Sequence, residues 1–559
     1  MTRIYPSPES EEFHRDIEKL GEIGKRLIEL SLSEGFHLKD LIALKDEGDS
    51  IVINLAAYAE SILSTDSDNP VYLKAMGEAE EATVAYQKAE NAFIRAVAER
   101  KDEFDDPSLS DYRKYLSDII AESQHLMSAE EEALAAELSR FGSSAWERLM
   151  MNITSSISRE GKTLTELRLL ASSPDRKIRE KAYEDEVALL EEHKTAIAAS
   201  LNGIKGTVLL LEKRRGWKDS LDRSLFESAI DHQILDSLLT AIVDSLPIFR
   251  EYFDIKAKLL GLDKLDFFDL FAPVGKSVKE YTYEEAKEIV VASYSSFSQE
   301  MGAFAENAFD NAWIDAEPRK GKAGGAYDVF FPVARESRVF CNFDGSYDSV
   351  STLAHELGHA YHDSVVKDLP PSLSSYPMTL AETASIFGEM LVFDNVLSSS
   401  SAEDSLPVIE AFVQSAAQVI VDIYSRFLFE KAVFEERKSG EISADRLSAL
   451  MLEAQEESYG DALRIKHKYM WAVKSHYYSA DFSYYNYPYA FGELFALSLY
   501  SKRNEKDFPL TYKNVLRSTG MKDAKDVAAI AGEDITDPGF WKKGIDVISG
   551  YIERLKEWI

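Results

Sequence analysis

Two histidines four residues apart, with a glutamate directly after the first, lie in the stretch TLAHELGHAYHDS at residues 352–364. On a helix, such positions lie one turn apart and about 40° apart around the axis, so His355 and His359 can point their imidazoles at one cation. Glu356 lies to one side of that face, where its carboxylate can accept a proton from a water that the cation acidifies. The spacing therefore predicts a metal site with its catalytic base. The alternative is a set of polar residues on an ordinary helix.

A third ligand is needed, because catalytic zinc sites use three protein ligands. Glu382 stands among apolar residues at the start of a second helical pattern, 378–397, where burying a lone carboxylate is unfavourable without a cation. Glu389 follows on the same helical face and is predicted to hydrogen-bond a ligating histidine. His362 lies off the face of the two histidines and is interpreted as a non-ligand. The alternative that both glutamates are solvated stays open on spacing alone.

A second group of polar side chains lies in SHYYSADFSYYNYPYAFGELFALSLY, residues 475–500, which has six tyrosines between 477 and 489. Stripes of aromatic residues are usually core. Here, polar residues interrupt the apolar stripe, and phenol groups near a metal can donate hydrogen bonds to a developing oxyanion. His476, Tyr485 and Tyr489 are the candidates for such donors, and the sequence does not decide which tyrosine points inward.

Helical elements must position these groups. Residues 327–349 differ from the rest of the chain, because they are rich in Val and Phe and are interrupted by Pro332 and turn residues, which predicts two or three short strands. Asp348 and Ser349 are predicted N-caps of the histidine-bearing helix. The sequence thus predicts a mainly α fold with a small β-sheet beside the metal helix. Elsewhere, apolar residues recur at three- and four-residue steps, which predicts helices at 72–104, 112–139, 177–214, 231–261, 283–312 and 403–437.

Composition limits the possible partners. A chain of 559 residues with 45% hydrophobic and 11% aromatic residues is typical of a packed globular protein. Its formal net charge of −34 argues against nucleic acid or an anionic membrane as the main partner. The single cysteine, Cys341, excludes an intramolecular disulfide and a cysteine-rich zinc site. We find no secretion signal and no apolar run long enough to span a bilayer, and we expect a cytoplasmic protein.

Several motifs together resemble the oligoendopeptidase F-type enzymes of the thimet oligopeptidase family of zinc metallopeptidases. The zinc motif alone is shared by many peptidase families, whereas its combination with a glutamate helix and a tyrosine segment is much more specific. The resemblance covers roughly residues 200–545. The motifs that carry it are AHELGHAYH (354–362), LAETASIFGE (380–389) and SHYYSADFSYYNYPYAFGE (475–493), supported by GKAGGAY (321–327) and CNFDGSYDSVSTLAHE (341–356).

The resemblance implies a large helical zincin-like fold with a deep substrate channel that admits short unfolded peptides. It implies an N-terminal helical region, 1–200, that walls or caps the channel, and a catalytic domain, 201–559. The stretch RVFCNF, 338–343, resembles the strand whose edge pairs with the substrate backbone.

The resemblance also assigns roles to residues. It implies that one Zn²⁺ per chain is bound by the two histidines of the motif and by Glu382. Glu356 would be the catalytic base and Glu389 the supporting carboxylate. The histidine and tyrosine candidates would contact the substrate and the oxyanion; these are His476, Tyr485 and Tyr489.

We therefore expect a zinc-dependent endopeptidase that hydrolyses internal bonds of short unfolded oligopeptides. A carboxypeptidase or dipeptidyl carboxypeptidase would use the same chemistry, but it needs a cation for the terminal carboxylate of its substrate; Arg335, Arg338 and Lys474 are candidates. A third alternative is an inactive helical peptide-binding protein, against which the intact ligand set argues. Manganese or cobalt also suits two imidazoles and a carboxylate. Cleavage preference and oligomeric state are not predicted.

Overall fold

The structure is a computed structural model that describes residues 1–33, 35–275 and 279–559. Helices make up 71% of it and its sheets are small, so the predicted mainly α fold is confirmed. Up to residue 275, the α-helices are α1 (Glu11–Leu32), α2 (Leu38–Thr65), α3 (Pro70–Glu99), α4 (Arg113–Ser123), α5 (Ala129–Ser139), α6 (Ser143–Ser156), α7 (Leu164–Leu169), α8 (Arg176–Arg214), α9 (Ser220–Glu227) and α10 (His232–Leu259). From residue 279 onwards, they are α11 (Tyr283–Phe297), α12 (Gln299–Asp310), α13 (Tyr347–Val366), α14 (Pro371–Ser374), α15 (Met378–Ala381), α16 (Thr383–Ser399), α17 (Ala402–Ala417), α18 (Ile423–Arg437), α19 (Ala444–Tyr459), α20 (Tyr487–Tyr500), α21 (Phe508–Arg517), α22 (Ala524–Ile530) and α23 (Pro538–Leu555).

Two of the predicted helices are each a pair of helices in the structure, and the second helix of each pair begins at a serine N-cap. Residues 112–139 form α4 and α5, because Ser128 caps α5 in a reciprocal hydrogen-bond pair with Glu131. Residues 283–312 form α11 and α12, because Ser298 ends the first and its hydroxyl accepts a backbone N–H of the second. A serine hydroxyl that satisfies these orphan N–H groups starts a new helix rather than continuing the old one.

The stretch Ala402–Arg437 is continuous and joins α17 to α18 through a π-helical segment, Gln418–Asp422. Within the described residues, it alone is long and apolar enough to cross a membrane by length and composition. Of its most apolar window, 56% is buried inside the structure, and the core helix of a soluble protein passes the same test. The stretch is therefore weak evidence for a span, and the predicted absence of membrane contact stays a prediction.

The described residues contain five short strands in two small sheets. A two-stranded sheet pairs β1 (Ser158–Arg159) with β2 (Lys162–Thr163). A three-stranded sheet has the order β3-β5-β4, with β3 parallel to β5 and β4 antiparallel to it. Its strands are β3 (Ile314–Asp315), β4 (Tyr327–Phe331) and β5 (Glu336–Phe340). The predicted strands within 327–349 are thus present, and a third strand pairs with them from outside that stretch.

The expectation of an open strand edge at 338–343 is wrong. β5 is the central strand of its sheet, and its chain continues to pair beyond the strand end with residues 313–316. Backbone N–H groups of Val339, Cys341 and Phe343 donate to carbonyls in that range at 3.0, 3.0 and 2.8 Å. Addition of a substrate strand needs an unpaired row of backbone groups, whereas residues 338–340 pair with β4 on one side and the stretch pairs with 313–316 on the other.

The chain forms two compact units, and each is assembled from three separate stretches of sequence. The first unit contains the histidine-bearing helix and the three-stranded sheet, and the second contains the tyrosine-rich segment. The predicted division into 1–200 and 201–559 concerns the roles of these regions and stays a prediction. The first unit is Met1–Gln124, Lys279–Ser399 and Lys502–Glu533, and the second is His125–Val278, Ser400–Ser501 and Asp534–Ile559.

Helix α13, which carries both histidines of the motif, begins at a serine cap. Ser346 is the N-cap, and its hydroxyl accepts the backbone N–H of Ser349. The predicted caps Asp348 and Ser349 are therefore wrong, because both lie in the first turn. The three-stranded sheet packs beside this helix, where Ser337 of β5 donates to the Asp363 carboxylate at 3.1 Å. The predicted small sheet beside the metal helix is confirmed.

Helices α13 and α16 approach each other closely at Gly358. A Cβ atom there would lie 2.5 Å from the backbone oxygen of Ala384 and 2.6 Å from Cα of Ser385. Backbone atoms cannot swing aside as the end of a flexible side chain can. The absence of a side chain at this position therefore lets the start of α16 lie against the helix that carries the two histidines.

Replacing Gly358 by alanine is expected to lower the free energy of unfolding. Overpacking costs about 1–3 kcal/mol, and a clash with backbone belongs in the upper part of that range. The gain in helix propensity is at most about 1 kcal/mol, so the loss wins. Urea unfolding measures the change.

The matched control is Gly77→Ala in α3, where a Cβ would meet nothing within 4 Å. This exposed helical position should gain about 0.5–1 kcal/mol on the same substitution. Equal stabilisation by both variants would contradict the close approach at Gly358.

Candidate metal centre

Three donor atoms converge in the first unit. His355 and His359 on α13, with Glu382 between α15 and α16, offer ligand atoms that all lie within 4.8 Å of one another. Glu382 Oε2 lies 3.3 Å from His355 Nε2 and 3.5 Å from His359 Nε2. The two imidazole planes are 81° apart, so the rings approach from different directions and do not stack. These side chains are 21–28% exposed, which keeps them accessible to solvent.

This donor set fits a small divalent cation. Zinc bonds to nitrogen and oxygen are about 2.0–2.1 Å long, so tetrahedral coordination places neighbouring donors about 3.3–3.4 Å apart. The two donor separations of 3.3 and 3.5 Å agree with that spacing. Two imidazoles and one carboxylate are also a ligand set that catalytic zinc sites use.

A second carboxylate orients one of the imidazoles. His355 Nδ1 lies 3.2 Å from Glu389 Oε2, and the Ser351 hydroxyl donates to Glu389 Oε1 at 3.0 Å. If the Nδ1–H group donates to Glu389, the Nε2 lone pair is left for a cation; we assign this tautomer from the hydrogen-bond network. Glu382 is oriented in turn by Ser385, whose hydroxyl donates to its Oε2 at 2.8 Å.

Burial and neighbouring charges set the protonation of the three donors. Burial lowers the pKa of His355, but Glu382 and Glu389 outweigh it and raise the pKa to about 10. At His359, burial dominates and lowers the pKa to about 4. Burial disfavours ionisation of Glu382, yet the two histidines hold its pKa at about 2. The ionised Glu382 carboxylate thus attracts positive charge. A divalent cation at this point would take the place of the proton on His355.

Glu356, the predicted base, is not one of the three converging donors. Its side chain is 7% exposed, and burial is the main cause that raises the pKa of its carboxyl to about 7. A carboxyl group with such a pKa can take up and release a proton near neutral pH. Its position directly after His355 keeps it beside the ligand face.

His362 lies away from this centre and is fully buried. Its Nε2 atom is 2.9 Å from the Thr519 hydroxyl and 3.1 Å from the Leu516 carbonyl oxygen. Its ring stacks on Tyr376 with a centroid distance of 4.2 Å. These contacts are those of a structural histidine, and His362 is not among the converging donors.

The tyrosine-rich segment lies in the second unit. Tyr485 and Tyr489 are partly exposed, and their hydroxyls are 2.9 Å apart. The ring of Tyr485 lies 6.0 Å from that of His476. The structure therefore groups these three candidates. The other tyrosines between 477 and 489 are buried in the core of the unit, namely Tyr477, Tyr478, Tyr484 and Tyr487.

His476 is a neutral imidazole at physiological pH. Burial lowers its pKa to about 3, and the cationic side chains of Arg426 and Lys474 add to the effect. Its Nε2 atom is buried and has no hydrogen-bond partner in the described part of the chain. Contact of His476, Tyr485 and Tyr489 with the substrate stays a prediction.

Two serines that orient the carboxylates were not predicted from the sequence. Ser385 follows Glu382 by three residues, a spacing at which a hydroxyl can return to the preceding turn, so this contact had a local signal. Ser351 contacts Glu389 across two helices, and nothing in the sequence around either residue indicates that pairing.

Two histidines of one helix and the glutamate just before the next converge on one point, which is the donor set of a catalytic metal centre. Comparison with known proteins gives the family. The model of peptidase family M3 matches residues 169–547, and that of oligopeptidase F matches 98–158. The chain belongs to peptidase family M3 and is a metalloendopeptidase.

Individual relatives agree with this family. Oligopeptidase PepF of Bacillus subtilis (strain 168) is 25% identical over 564 residues, which cover 96% of this chain and 83% of that protein. The crystal structure of oligoendopeptidase-F from Enterococcus faecium has a TM-score of 0.69 at 19% identity and covers 98% of both chains. A protein from Chlamydophila abortus has a TM-score of 0.87 at 22% identity, covering 100% of this chain and 97% of its own. These structures show that the fold is shared.

Proposed function

We propose that this protein is a cytoplasmic, zinc-dependent endopeptidase that cleaves internal bonds of short unfolded peptides. The observation that carries the proposal is the convergence of two imidazoles and a carboxylate within 4.8 Å in a chain of family M3. His355, His359 and Glu382 are the proposed ligands of one Zn²⁺. The names of its relatives, oligopeptidase and oligoendopeptidase, support short peptides and internal cleavage.

When bound, the cation supplies a Lewis acid that polarises the scissile carbonyl and acidifies a water. Glu356 accepts the proton of the attacking water and delivers it to the leaving amine, the two transfers that amide hydrolysis requires. Glu389 holds the imidazole of His355 in one orientation. Because Ser351 fixes Glu389 in turn, the site is arranged before substrate binds.

We assign oxyanion stabilisation to the group of His476, Tyr485 and Tyr489. Removing a preorganised donor of this kind typically costs about 10²–10³-fold in kcat. The two tyrosines are partly exposed, unlike their buried neighbours in the segment, which supports their choice. Both a phenol and a neutral imidazole can donate such a hydrogen bond.

Two of the cations considered for a carboxypeptidase already have acid partners. Arg335 pairs with Asp368 at 3.0 Å, and Arg338 pairs with Glu336 at 2.8 Å. Each guanidinium is therefore less available for the terminal carboxylate of a substrate. Of the three candidate cations, only Lys474 has no acid partner among the described residues, so the site of cleavage is decided by product analysis.

A peptide-length series with and without a chelator tests the proposed function. We expect internal cleavage of unstructured peptides and loss of cleavage above about twenty residues, which corresponds to ~70 Å of extended chain. We expect no cleavage after chelation until zinc is restored. Mass analysis of the products locates each cut. Stepwise loss of one or two C-terminal residues would favour the carboxypeptidase, and efficient digestion of folded proteins would contradict the enclosed channel. A purified protein that binds no zinc and cleaves nothing would favour the inactive binding protein.

A further inference from the structure

A cavity of about 930 Å³ lies within the second unit. Residues of α6, α7 and α8 line it, together with the segments 267–271 and 467–478. Much of the lining is apolar, including Met150, Leu167 and Phe268. Small-molecule sites typically have volumes of about 300–1,000 Å³ and mostly apolar walls with a few polar groups. The cavity therefore has the size and the lining of a ligand site.

Most charged side chains around the cavity have a partner of opposite charge. The paired groups neutralise one another, so they offer little to a charged ligand. The pairs are Arg168 with Glu186 at 2.5 Å, Arg179 with Asp269 at 2.8 Å, and Asp422 with Arg426.

Lys474 is the cationic exception. Its ammonium group makes no hydrogen bond or ion pair with any described residue, although Lys474 lines the cavity. Burial lowers the pKa of this ammonium to about 7, and the nearby Arg426 adds to the effect. An unpaired cation at an apolar wall is unfavourable unless an anion compensates it.

The acid with the largest electrostatic effect on the pKa of Lys474 already accepts hydrogen bonds from other side chains. Asp422 accepts hydrogen bonds from Arg426 and Gln418, and it also accepts one from the Tyr459 hydroxyl at 3.2 Å. Asp422 and Gln418 belong to the π-helical segment, and both line the cavity. Single turns of π-helix occur frequently at functional sites. Asp422 is therefore not free to pair with Lys474, and an anion from outside the chain would stabilise the charged lysine.

We propose that this cavity binds an apolar carboxylate, with the carboxylate on Lys474 and the hydrocarbon part along the apolar walls. Two sources share this chemistry, a free fatty acid and the C-terminus of an apolar peptide. Binding does not depend on hydrolysis, so the proposal extends beyond the proposed function. Glu147 also lines the cavity, and burial with the nearby Asp481 raises the pKa of its carboxyl. It is the group that would favour an ammonium ligand instead.

Isothermal titration of the full-length, zinc-loaded protein tests the proposal. Octanoate should bind, and 1-octanol should bind at least about tenfold more weakly, because it lacks the charge-assisted hydrogen bond. Lys474→Met should weaken octanoate by about tenfold or more and leave octanol unchanged. N-acetyl-Leu-Phe and its C-terminal amide, titrated into Glu356→Gln protein to prevent turnover, identify the source. Tighter binding of the free-acid dipeptide than of octanoate assigns the peptide C-terminus, and the reverse assigns a fatty acid.

Two further variants serve as controls. Lys468→Met removes the same charge from an exposed lysine that pairs with Glu191 at 2.9 Å, and it should not change octanoate binding. Ala171→Phe places a ring in the cavity and should weaken both octanoate and octanol. Lys474→Met should unfold at no lower temperature than the unmodified protein, because it removes an uncompensated charge. Thermal unfolding therefore separates lost binding from lost folding.

Three results would overturn the proposal. The first is equal affinity for octanoate and octanol, and the second is no effect of Lys474→Met on octanoate. The third is tight binding of octylammonium that is lost in Glu147→Gln, which would assign the cavity to a cation. Peptide cleavage is not a readout here, so failure of this proposal is distinguishable from failure of the proposed peptidase function.

Discussion

Replacing Glu356 by glutamine is expected to lower kcat by about 10²–10⁴-fold, the usual contribution of a positioned general base. The protein should keep a full equivalent of zinc, because Glu356 is not among the three converging donors. Glutamine has nearly the same shape but cannot accept the proton of the attacking water. Kinetics with a fluorogenic peptide and elemental analysis of the same sample measure the two quantities.

Asp348→Asn is the matched control, because it removes one charge from an exposed position in the first turn of the same helix. It should leave kcat within about twofold, since a charge near a helix end contributes about 0.3–1 kcal/mol to stability and takes no part in proton transfer. Peptide cleavage by Glu356→Gln at the unmodified rate would contradict the assignment of the base. Loss of zinc from that variant would instead show that Glu356 contributes to metal binding.

Replacing Glu382 by glutamine is expected to remove bound zinc and, with it, activity. Among the described residues, the substitution deletes the one carboxylate that lies within 3.5 Å of both imidazoles. Removing a group that only orients a ligand costs about 10–100-fold in metal affinity, and removing a ligand should cost more. Zinc affinity measured by competition with a chromophoric chelator quantifies the loss.

Glu389→Gln provides the comparison within the same helix pair. Its carboxylate orients His355 and lies outside the converging group, so its loss should fall within that range of about 10–100-fold. The order of affinities should be unmodified protein, then Glu389→Gln, then Glu382→Gln. A larger loss for Glu389→Gln than for Glu382→Gln would exchange the two assigned roles.

The spacing of the site residues predicted their convergence well, because one helix turn fixes the distance between His355 and His359. Glu382 was found through its apolar surroundings, which a lone carboxylate tolerates only with compensation. The boundary at this residue was less clear, because the predicted helix at 378–397 divides into α15 and α16 around it. Local periodicity does not reveal a short break that keeps both sides helical.

The errors in the fold have two different physical origins. The break before α5 had a local signal, since Ser128 and Glu131 form the spacing of a capping box. The pairing of β3 with β5 had none, because a strand of two residues, Ile314–Asp315, carries no recognisable alternation. The edge at 338–343 is implied by the family resemblance alone, and the periodicity of 314–315 offers nothing to correct it. Pairing between segments so far apart in sequence depends on the tertiary fold.

The histidine-bearing helix and its neighbour contact a segment that lies more than 100 residues later in the chain, residues 512–519. Arg517 donates to the Val365 carbonyl at 2.9 Å, Thr519 contacts His362, and the Tyr512 hydroxyl donates to the Thr383 carbonyl at 3.0 Å. The last of the three converging donors, Glu382, is made 137 residues before Thr519, or about 7–27 s earlier at about 5–20 residues per second. During that interval a nascent chain carries every donor without the contacts that brace their helices. Full proteolytic competence is therefore expected only after the segment 512–519 has been translated and has packed against these helices.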